Sequence, residues 1–411
     1  MLSRIVNLVK RPKSSMNICL ISQEYPPDTN LGGIATYTQT LARELVKRGE
    51  RVHVITRSLG NEYQTEDEGV FVHRVLLKPR QSVPNFAEKC SKLNITRIWH
   101  PILNFSQRVY EEVYEIHRKE PIDVIEAPDT CAQAFFVNKF IDGPKKVVRL
   151  HTPFFWVRHI NNMPDSTEHL LRDELEKIQA EDATRLSSPT KVLANIVGQR
   201  WGLRNIDVIP YLFNLGNYLP DLTVYDKYLK GEDYILYFGR LESRKGVLVL
   251  AHALTEVLNK DQHIKVAFVG SDSVYNNASL KEIIQDILKN YRDRLIFIDN
   301  ILHNSLYPVI ERSKFVILPS LWDNLPFACM EAMSLGKVVI ATTGSGFSEI
   351  IDDGINGVLC TPDDPDALSR SIIKCLDRKD LDNMGRMAAL KLNNDYNEKI
   401  AVQVIDFYKN I

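Results

Sequence analysis

Two carboxylates separated by seven residues mark the densest chemistry in the chain. In PSLWDNLPFACMEAMSLG, residues 319–336, Asp323 falls in a loop that follows an apolar run, and Glu331 falls inside the next helix. The spacing carries Glu331 about two turns below the loop. A carboxylate accepts two hydrogen bonds in fixed geometry, which suits sugar hydroxyls at Asp323 and a deeper ribose at Glu331. Asn324, Leu325 and the amides of the helix start would face the same ligand. Asp and Asn are also strong helix caps, and capping alone would account for Asp323 and Asn324.

The matching cations stand in FGRLESRKG, residues 238–246, also after an apolar run. Arg240 offers a rigid fork and Lys245 a point charge, a pair able to hold a diphosphate, and a helix starting after Gly246 adds its positive end. A solvated basic loop is the rival reading. A second loop, NLGGI at residues 30–34, joins a first strand to a first helix. There Gly32 and Gly33 let the backbone approach an anion at the helix N-terminus, or form a tight turn with no ligand. Neither Gly-x-Gly-x-x-Gly nor a Gly-Lys-Ser/Thr loop is present. Thr343 and Gly344, in TTGSGFSE at 342–349, would add amides. His151 ends another strand, an address that gives weight to a residue type more often structural.

These loops need a scaffold that delivers them to one edge. Short apolar runs at 17–22, 52–56, 70–76, 123–126, 147–150 and 184–187 alternate with helical patterns at 34–48 and 106–119. A second series, at 234–238, 264–269, 295–298, 315–318 and 338–341, alternates with helices at 247–258, 280–291, 306–312 and 327–334, and a last helix covers 400–408. Such alternation predicts α/β structure with mainly parallel strands. The predicted organisation is a basic leader at 1–15, a first Rossmann-like domain at 16–210, a linker at 211–232, a second doubly wound domain at 233–394 that carries both charged loops, and a C-terminal helix at 395–411 packing back on the first domain. Open α/β sheets bind ligands beyond the carboxyl ends of their strands, so a cleft between the two domains is the expected site.

The bulk properties fit. The 411 residues are 44% hydrophobic and 25% charged with net charge -1, so no global field recruits nucleic acid. Six scattered cysteines (19, 90, 131, 329, 360 and 375) have no zinc or dithiol spacing and suit a reducing cytoplasm. No apolar run reaches the ~20 residues of a membrane span. Arg4, Lys10, Arg11 and Lys13, with Leu2, Ile5, Val6 and Val9 at roughly helical spacing, allow peripheral contact with a membrane or a solvated leader.

On these residues the chain resembles the large retaining family 4 of glycosyltransferases, whose GT-B architecture is two Rossmann-like, doubly wound α/β domains facing across a cleft. The resemblance rests on Gly32-Gly33, His151, the 240–246 loop, the 323–331 block and GFSEIIDDGING at 346–357. It implies that Gly33 gives an amide to the donor phosphate, that Arg240 and Lys245 neutralise the leaving diphosphate, and that His151 touches the sugar near the reacting carbon. It further implies that Asp323 binds the transferred sugar, Glu331 the ribose, and Asn300 and Ile301 the nucleobase. The donor would be a UDP- or GDP-sugar, with no cofactor and no metal. The acceptor would be a glycan, a lipid-linked sugar or a small molecule in cell-envelope or glycoconjugate synthesis.

The chain departs from the family pattern twice. Asp323 stands where the pattern has Glu, and PYLFN at 210–214 replaces a frequent Pro-Asn-Gly. Asp129, Phe154 and Trp156 are the acceptor-side candidates, while Phe86, Trp99, Phe105 and Tyr110 form an acceptor wall, a membrane-facing surface or ordinary core. A nucleotide-sugar epimerase of the same plan and a non-catalytic scaffold are the alternatives.

Overall fold

The protein is described here by a computed structural model covering residues 15–29, 32–77, 85–94, 101–216 and 218–411. The basic residues of the leader, Asn30, Leu31 and Trp99 lie outside the described residues. The chain divides into two compact units. Unit 1 holds the described residues as far as Phe154, then Ser166–Ser187 and Ala401–Ile411, and unit 2 holds Phe155–Asp165 and Ser188–Ile400.

Unit 1 is built on β1 (Asn17–Ile21), β2 (Arg51–Arg57), β3 (Tyr63–Asp67), β4 (Val70–Val75), β5 (Val124–Pro128), β6 (Lys145–Arg149) and β7 (Arg185–Ser188), in the order β3-β4-β2-β1-β5-β6-β7. Every residue of β1 and β5 is buried. Strands covered on both faces lose the alternation of a half-exposed sheet, which is why they read as continuous apolar runs. All neighbours pair in parallel except β3 with β4. That edge strand, YQTED, is almost wholly exposed and carries no apolar pattern, so nothing in its residues marks it as a strand.

Helix Gly33–Lys47 follows β1 and buries Ala35, Leu41, Ala42 and Leu45. It ends as its composition predicts: Gly49 takes φ +86° and its amide donates to the Val46 carbonyl at 2.9 Å. Helix Leu103–Lys119 buries Phe105, Val109, Tyr110, Val113 and Ile116 at helical spacing. Phe105 and Tyr110 therefore belong to the core, and the half-buried Phe86 packs at its edge against Tyr110 and Phe136. Burying each such side chain contributes roughly 1.5–3 kcal/mol.

Unit 2 contains β8 (Ile206–Val208), β9 (Tyr234–Phe238), β10 (Lys265–Val269), a hairpin of β11 (Val274–Tyr275) and β12 (Ala278–Ser279), β13 (Leu295–Ile298), β14 (Val316–Leu318), β15 (Val339–Thr342) and β16 (Val358–Cys360). Its main sheet runs β13-β10-β9-β14-β15-β16, parallel throughout. Renumbered from β9, this is the doubly wound order 3-2-1-4-5-6, which reverses direction between β9 and β14. Chain segments leaving those two strands diverge to opposite faces of the sheet and leave a crevice between them. The core on the sheet joins Leu250, Leu254 and Val257 of helix Val247–Lys260 to Val266, Phe268 and Ile317. Among the described residues, no helix is long and apolar enough to cross a membrane.

Candidate functional site

The reversal point of unit 2 is where both charged loops emerge. After β9, the amides of Gly239 and Leu241 donate to the carbonyls of Val269 and Ser271, each at 2.9 Å, pinning the loop beside the end of β10. A short 3-10 turn, Ser243–Lys245, then closes on Gly246 at φ +70°. A Cβ at Gly246 would lie 1.9 Å from the Pro319 carbonyl oxygen, so only glycine lets the two loops meet. Leu321 N donates to Arg244 O at 2.9 Å and joins them directly.

That backbone contact sets the side chains. Lys245 Nζ is 2.6 Å from Asp323 Oδ2, Ser320 Oγ donates to the same oxygen at 3.0 Å, and an Arg244 guanidinium nitrogen stands 3.6 Å from Asp323 Oδ1. Burial pushes the Asp323 carboxyl up, but the Lys245 and Arg244 charges outweigh it and hold the group below the usual carboxylate range. Arg244 also pairs with Glu242 at 2.8 Å. Arg240 lies at the rim: its side chain is 68% exposed and 3.6 Å from Glu242. Arg244 is the guanidinium that sequence reasoning passed over, and its place two residues before the turn glycine is the signal that could have found it.

The next residues are committed as firmly. Helix Phe327–Ser334 has Pro326 at its N-cap and no side-chain cap. Capping therefore does not explain Asp323 or Asn324: the first turns to Lys245, and Asn324 Oδ1 accepts from Thr190 Oγ at 2.7 Å. Leu325 is buried. Gly346 N donates to Asp323 O at 2.9 Å, and a Cβ there would sit 1.1 Å from Asn324 O, so the turn after β15 is folded against the Asp323 loop. Thr343 and Gly344 in that turn are exposed.

Deeper in the helix, Glu331 Oε1 is 3.1 Å from His303 Nε2. The hydrogen bond to Glu331 raises the His303 imidazole above its ordinary value, against the opposing effect of burial. Asn300, exposed, and Ile301, half-buried, follow β13 just before His303. No local pattern marks His303 as the partner of Glu331. Among the described residues, no group of three or more His, Cys, Asp or Glu side chains is arranged to hold a metal ion.

Unit 1 has its own constellation. Gly32 caps helix Gly33–Lys47 in extended backbone with no side-chain cap, and a Cβ on it would meet Glu24 Oε2 at 2.7 Å. His151, buried behind β6, donates its backbone N–H to Asp129 Oδ1 at 3.0 Å and sets its ring edge-on to Tyr37 at 5.2 Å. Burial, then the charge of Arg149, lowers the imidazole well below its ordinary range, so the ring is neutral. Burial and Glu176 push Asp129 up to about 8. Burial likewise raises Glu176 to about 7, while it accepts from the amides of Cys131 at 2.8 Å and Phe154 at 2.7 Å.

Phe154 is buried beneath Arg172, whose guanidinium carbon lies 3.8 Å from the ring centroid. Trp156 belongs to unit 2, where it meets Trp322. Glu126, which accepts from Tyr37 at 2.7 Å and from Tyr408 at 2.8 Å, was invisible in the sequence because Tyr408 is 282 positions away.

The chain is similar to known proteins in sequence and in fold. The family described as Glycosyl transferase 4-like domain matches residues 32–211, and Glycosyl transferases group 1 matches residues 232–378. The D-inositol 3-phosphate glycosyltransferase of Paenarthrobacter aurescens is 24% identical over 402 residues, covering 94% of this chain and 95% of its own. Sucrose-phosphate synthase from Thermosynechococcus elongatus superposes with a TM-score of 0.76 at 21% identity, over 96% of this chain and 98% of that one. HepE of Anabaena, solved with UDP and glucose, gives 0.72 at 17% identity, over 96% and 100%. The fold is GT-B, and the chain belongs to the group 1, family 4 glycosyltransferases.

Proposed function

We propose that this glycosyltransferase moves a sugar from a nucleoside-diphosphate donor to an acceptor hydroxyl with retention of anomeric configuration. The observation that carries the reading is the Lys245–Asp323 pair at the reversal point of the unit 2 sheet, 2.6 Å apart on loops that follow adjacent strands. Ligands of doubly wound sheets bind at this point. A diphosphate is held by Lys245, Arg240 and the amides that open helix Val247–Lys260, and the sugar hydroxyls by Asp323. Glu331 takes the ribose, and Asn300 and Ile301 the base. Gly32, Gly33 and His151 are the unit 1 residues to which the family pattern gives phosphate and sugar contacts.

The demanding step is departure of the diphosphate from the anomeric carbon. The carbon–oxygen bond to phosphate breaks, a bond to the acceptor oxygen forms on the same face, and the acceptor's proton passes to the leaving phosphate. Negative charge grows on the phosphates as the bond lengthens, so fixed cations and helix amides stabilise the transition state more than the ground state. Those groups supply the charge without a metal or another cofactor. HepE was solved with UDP and glucose, which favours a UDP-sugar among the donors to try. We place the reaction in the cytoplasm, in cell-envelope polysaccharide or glycoconjugate synthesis; the six free thiols fit a reducing compartment.

The test is a thermal-shift screen of UDP- and GDP-sugars, followed by NMR of the product. A donor at 100 times its Kd stabilises by ~2.7 kcal/mol. Failure of every nucleotide sugar to stabilise the protein, an inverted product, or loss of activity with EDTA that a divalent ion restores would each refute the corresponding part.

A further inference from the structure

Beside the Asp323 loop, unit 2 has an open cavity of about 780 Å3 between the segment Phe155–Asp165 and helix Lys191–Trp201. That volume lies within the ~300–1,000 Å3 of small-molecule sites. Phe155, Trp156, Arg158, His159, Asn162 and Arg200 are among its walls. Trp156 stacks on His159, centroids 4.7 Å apart, and Arg200 lies over Phe155 at 5.8 Å. Trp156 also stands edge-to-face with Trp322 at 5.8 Å. Trp322 immediately precedes Asp323, and Arg244 donates to its carbonyl at 3.4 Å. Trp156 therefore lines the cavity and touches the residue that precedes Asp323, which makes the cavity a neighbour of the Asp323 loop.

The lining selects the ligand. Arg158 is only 6% exposed, and its guanidinium is paired with Asp165, whose side chain is 76% exposed. A buried guanidinium requires an anion, whereas an exposed carboxylate is the partner most easily displaced. A phosphate makes the same forked contact with more charge. Arg200 adds a second cation against the single carboxylate of Asp165. An aromatic face with an amide and two guanidinium groups around it suits a ring that is apolar on its C–H face and polar at its rim.

We propose that this cavity is the acceptor subsite, and that the acceptor is a phosphorylated sugar or polyol, its ring against Trp156 and its phosphate at Arg158 and Arg200. The proposal rests on the reading of the Asp323 loop as the donor site. It applies equally to a free sugar phosphate and to one carried on a lipid, since the recognised group is the same.

Calorimetric titration of the full chain tests it, with glucose 6-phosphate, inorganic phosphate, glucose, and phosphatidylcholine vesicles with or without a polyprenyl phosphate glucose. Phosphorylated probes should bind at least ~10-fold more tightly than glucose, the factor expected of one charge-assisted contact. Arg158→Gln and Arg200→Gln should each weaken them by ~10-fold, and Trp156→Phe by a few-fold, while UDP-glucose affinity stays unchanged. Arg200 is exposed, so its variant keeps the test alive if Arg158→Gln fails to fold. Binding of the soluble probes identifies a free acceptor, and binding of the loaded vesicles alone a lipid-linked one; either supports the proposal. Absence of binding to every phosphorylated probe, or binding that all three variants leave intact, overturns it. Probe binding at Arg158 and Arg200 in a protein that binds no nucleotide sugar would sink the donor reading and the acceptor role while leaving a sugar-phosphate site, so the two failures are distinguishable.

Discussion

Lys245 Nζ and Asp323 Oδ2 stand 2.6 Å apart although 78 residues separate them, because the strands that carry their loops are neighbours where the unit 2 sheet reverses. The pair sets a cation beside the carboxylate proposed to hold the sugar. On that proposal a bound diphosphate would draw on the same ammonium, and the ion pair would be the resting state of the donor site.

Removing the cations should therefore be felt in turnover. Lys245→Ala and Arg240→Ala are each expected to lower kcat by ~10²-fold or more, as when one donor to a developing oxyanion is lost. Lys245→Ala should also let the Asp323 carboxyl rise, since Lys245 is the largest of the effects that lower it. Steady-state kinetics with a purified donor and acceptor decide the matter; near-normal rates in both variants would remove these residues from the chemistry.

If Glu331 holds the ribose as proposed, its contact with His303 should make donor affinity depend on pH. The imidazole gains its proton more readily in the folded chain because Glu331 accepts its hydrogen bond. The pair's contribution to stability is thus fully present below the unfolded value and is lost as pH rises through the raised folded one. The protonated ring also occupies the carboxylate that the ribose would use, so nucleotide affinity should climb over that same rise. His303→Ala should bind nucleotide with no such slope. An equal slope in wild type and variant, measured by calorimetry, would dissociate His303 from the ribose contact.

How much of this was legible follows from how local each signal is. Tyr234–Phe238 coincides with the predicted strand because every residue in it is buried, and a strand covered on both faces writes that burial into consecutive apolar residues. Leu295–Ile298 and Phe327–Ser334 also coincide with the predicted elements, the first as a short apolar run and the second through its buried Cys329, Met330, Ala332 and Met333. Asp323 and Lys245 were legible as types at strand ends. Their mutual contact was not, since it depends on Gly246 and Pro319 meeting through backbone that no pattern encodes. The same holds for Thr190 with Asn324, Glu331 with His303, and Glu126 with Tyr408: each partner is a polar residue on a distant element, ordinary in its own neighbourhood. Helices such as Thr167–Glu181 and Leu381–Asp395 also went unmarked, their apolar stripes being narrow.

In unit 1, Asp129 should make stability fall as pH rises. Its folded value near 8 lies far above the ~3.9 of an unfolded aspartate, so between those values the folded state holds a proton that the unfolded state has released. Asn in its place keeps an oxygen to accept from the amides of Thr130 and His151 and has no proton to lose. Asp129→Asn should therefore gain stability relative to wild type as the buffer moves from about pH 5 to about pH 8. Urea midpoints of both proteins at the two pH values are the check. A variant that falls further behind wild type at the higher pH would show that Asp129 is ionised and held by its donors.

Two glycines of the turn after β15 separate steric cost from conformational cost. Gly344 has φ +72° with nothing within 4 Å of an added Cβ, so Gly344→Ala should lose only the ~1–2 kcal/mol of a left-handed non-glycine residue. Gly346 has an ordinary φ of −60°, yet its Cβ would fall 1.1 Å from Asn324 O. No rotamer relieves a backbone contact of that kind; the turn must move, and moving it breaks the bond from Gly346 N to Asp323 O. Gly346→Ala should then cost ~3 kcal/mol or more, at the upper end of overpacking penalties, and should weaken nucleotide-sugar binding in whatever protein still folds. Denaturation midpoints and donor titrations of the two variants test this together. Equal losses of stability, or a Gly346→Ala protein that binds donor normally, would mean that the turn does not position the Asp323 loop.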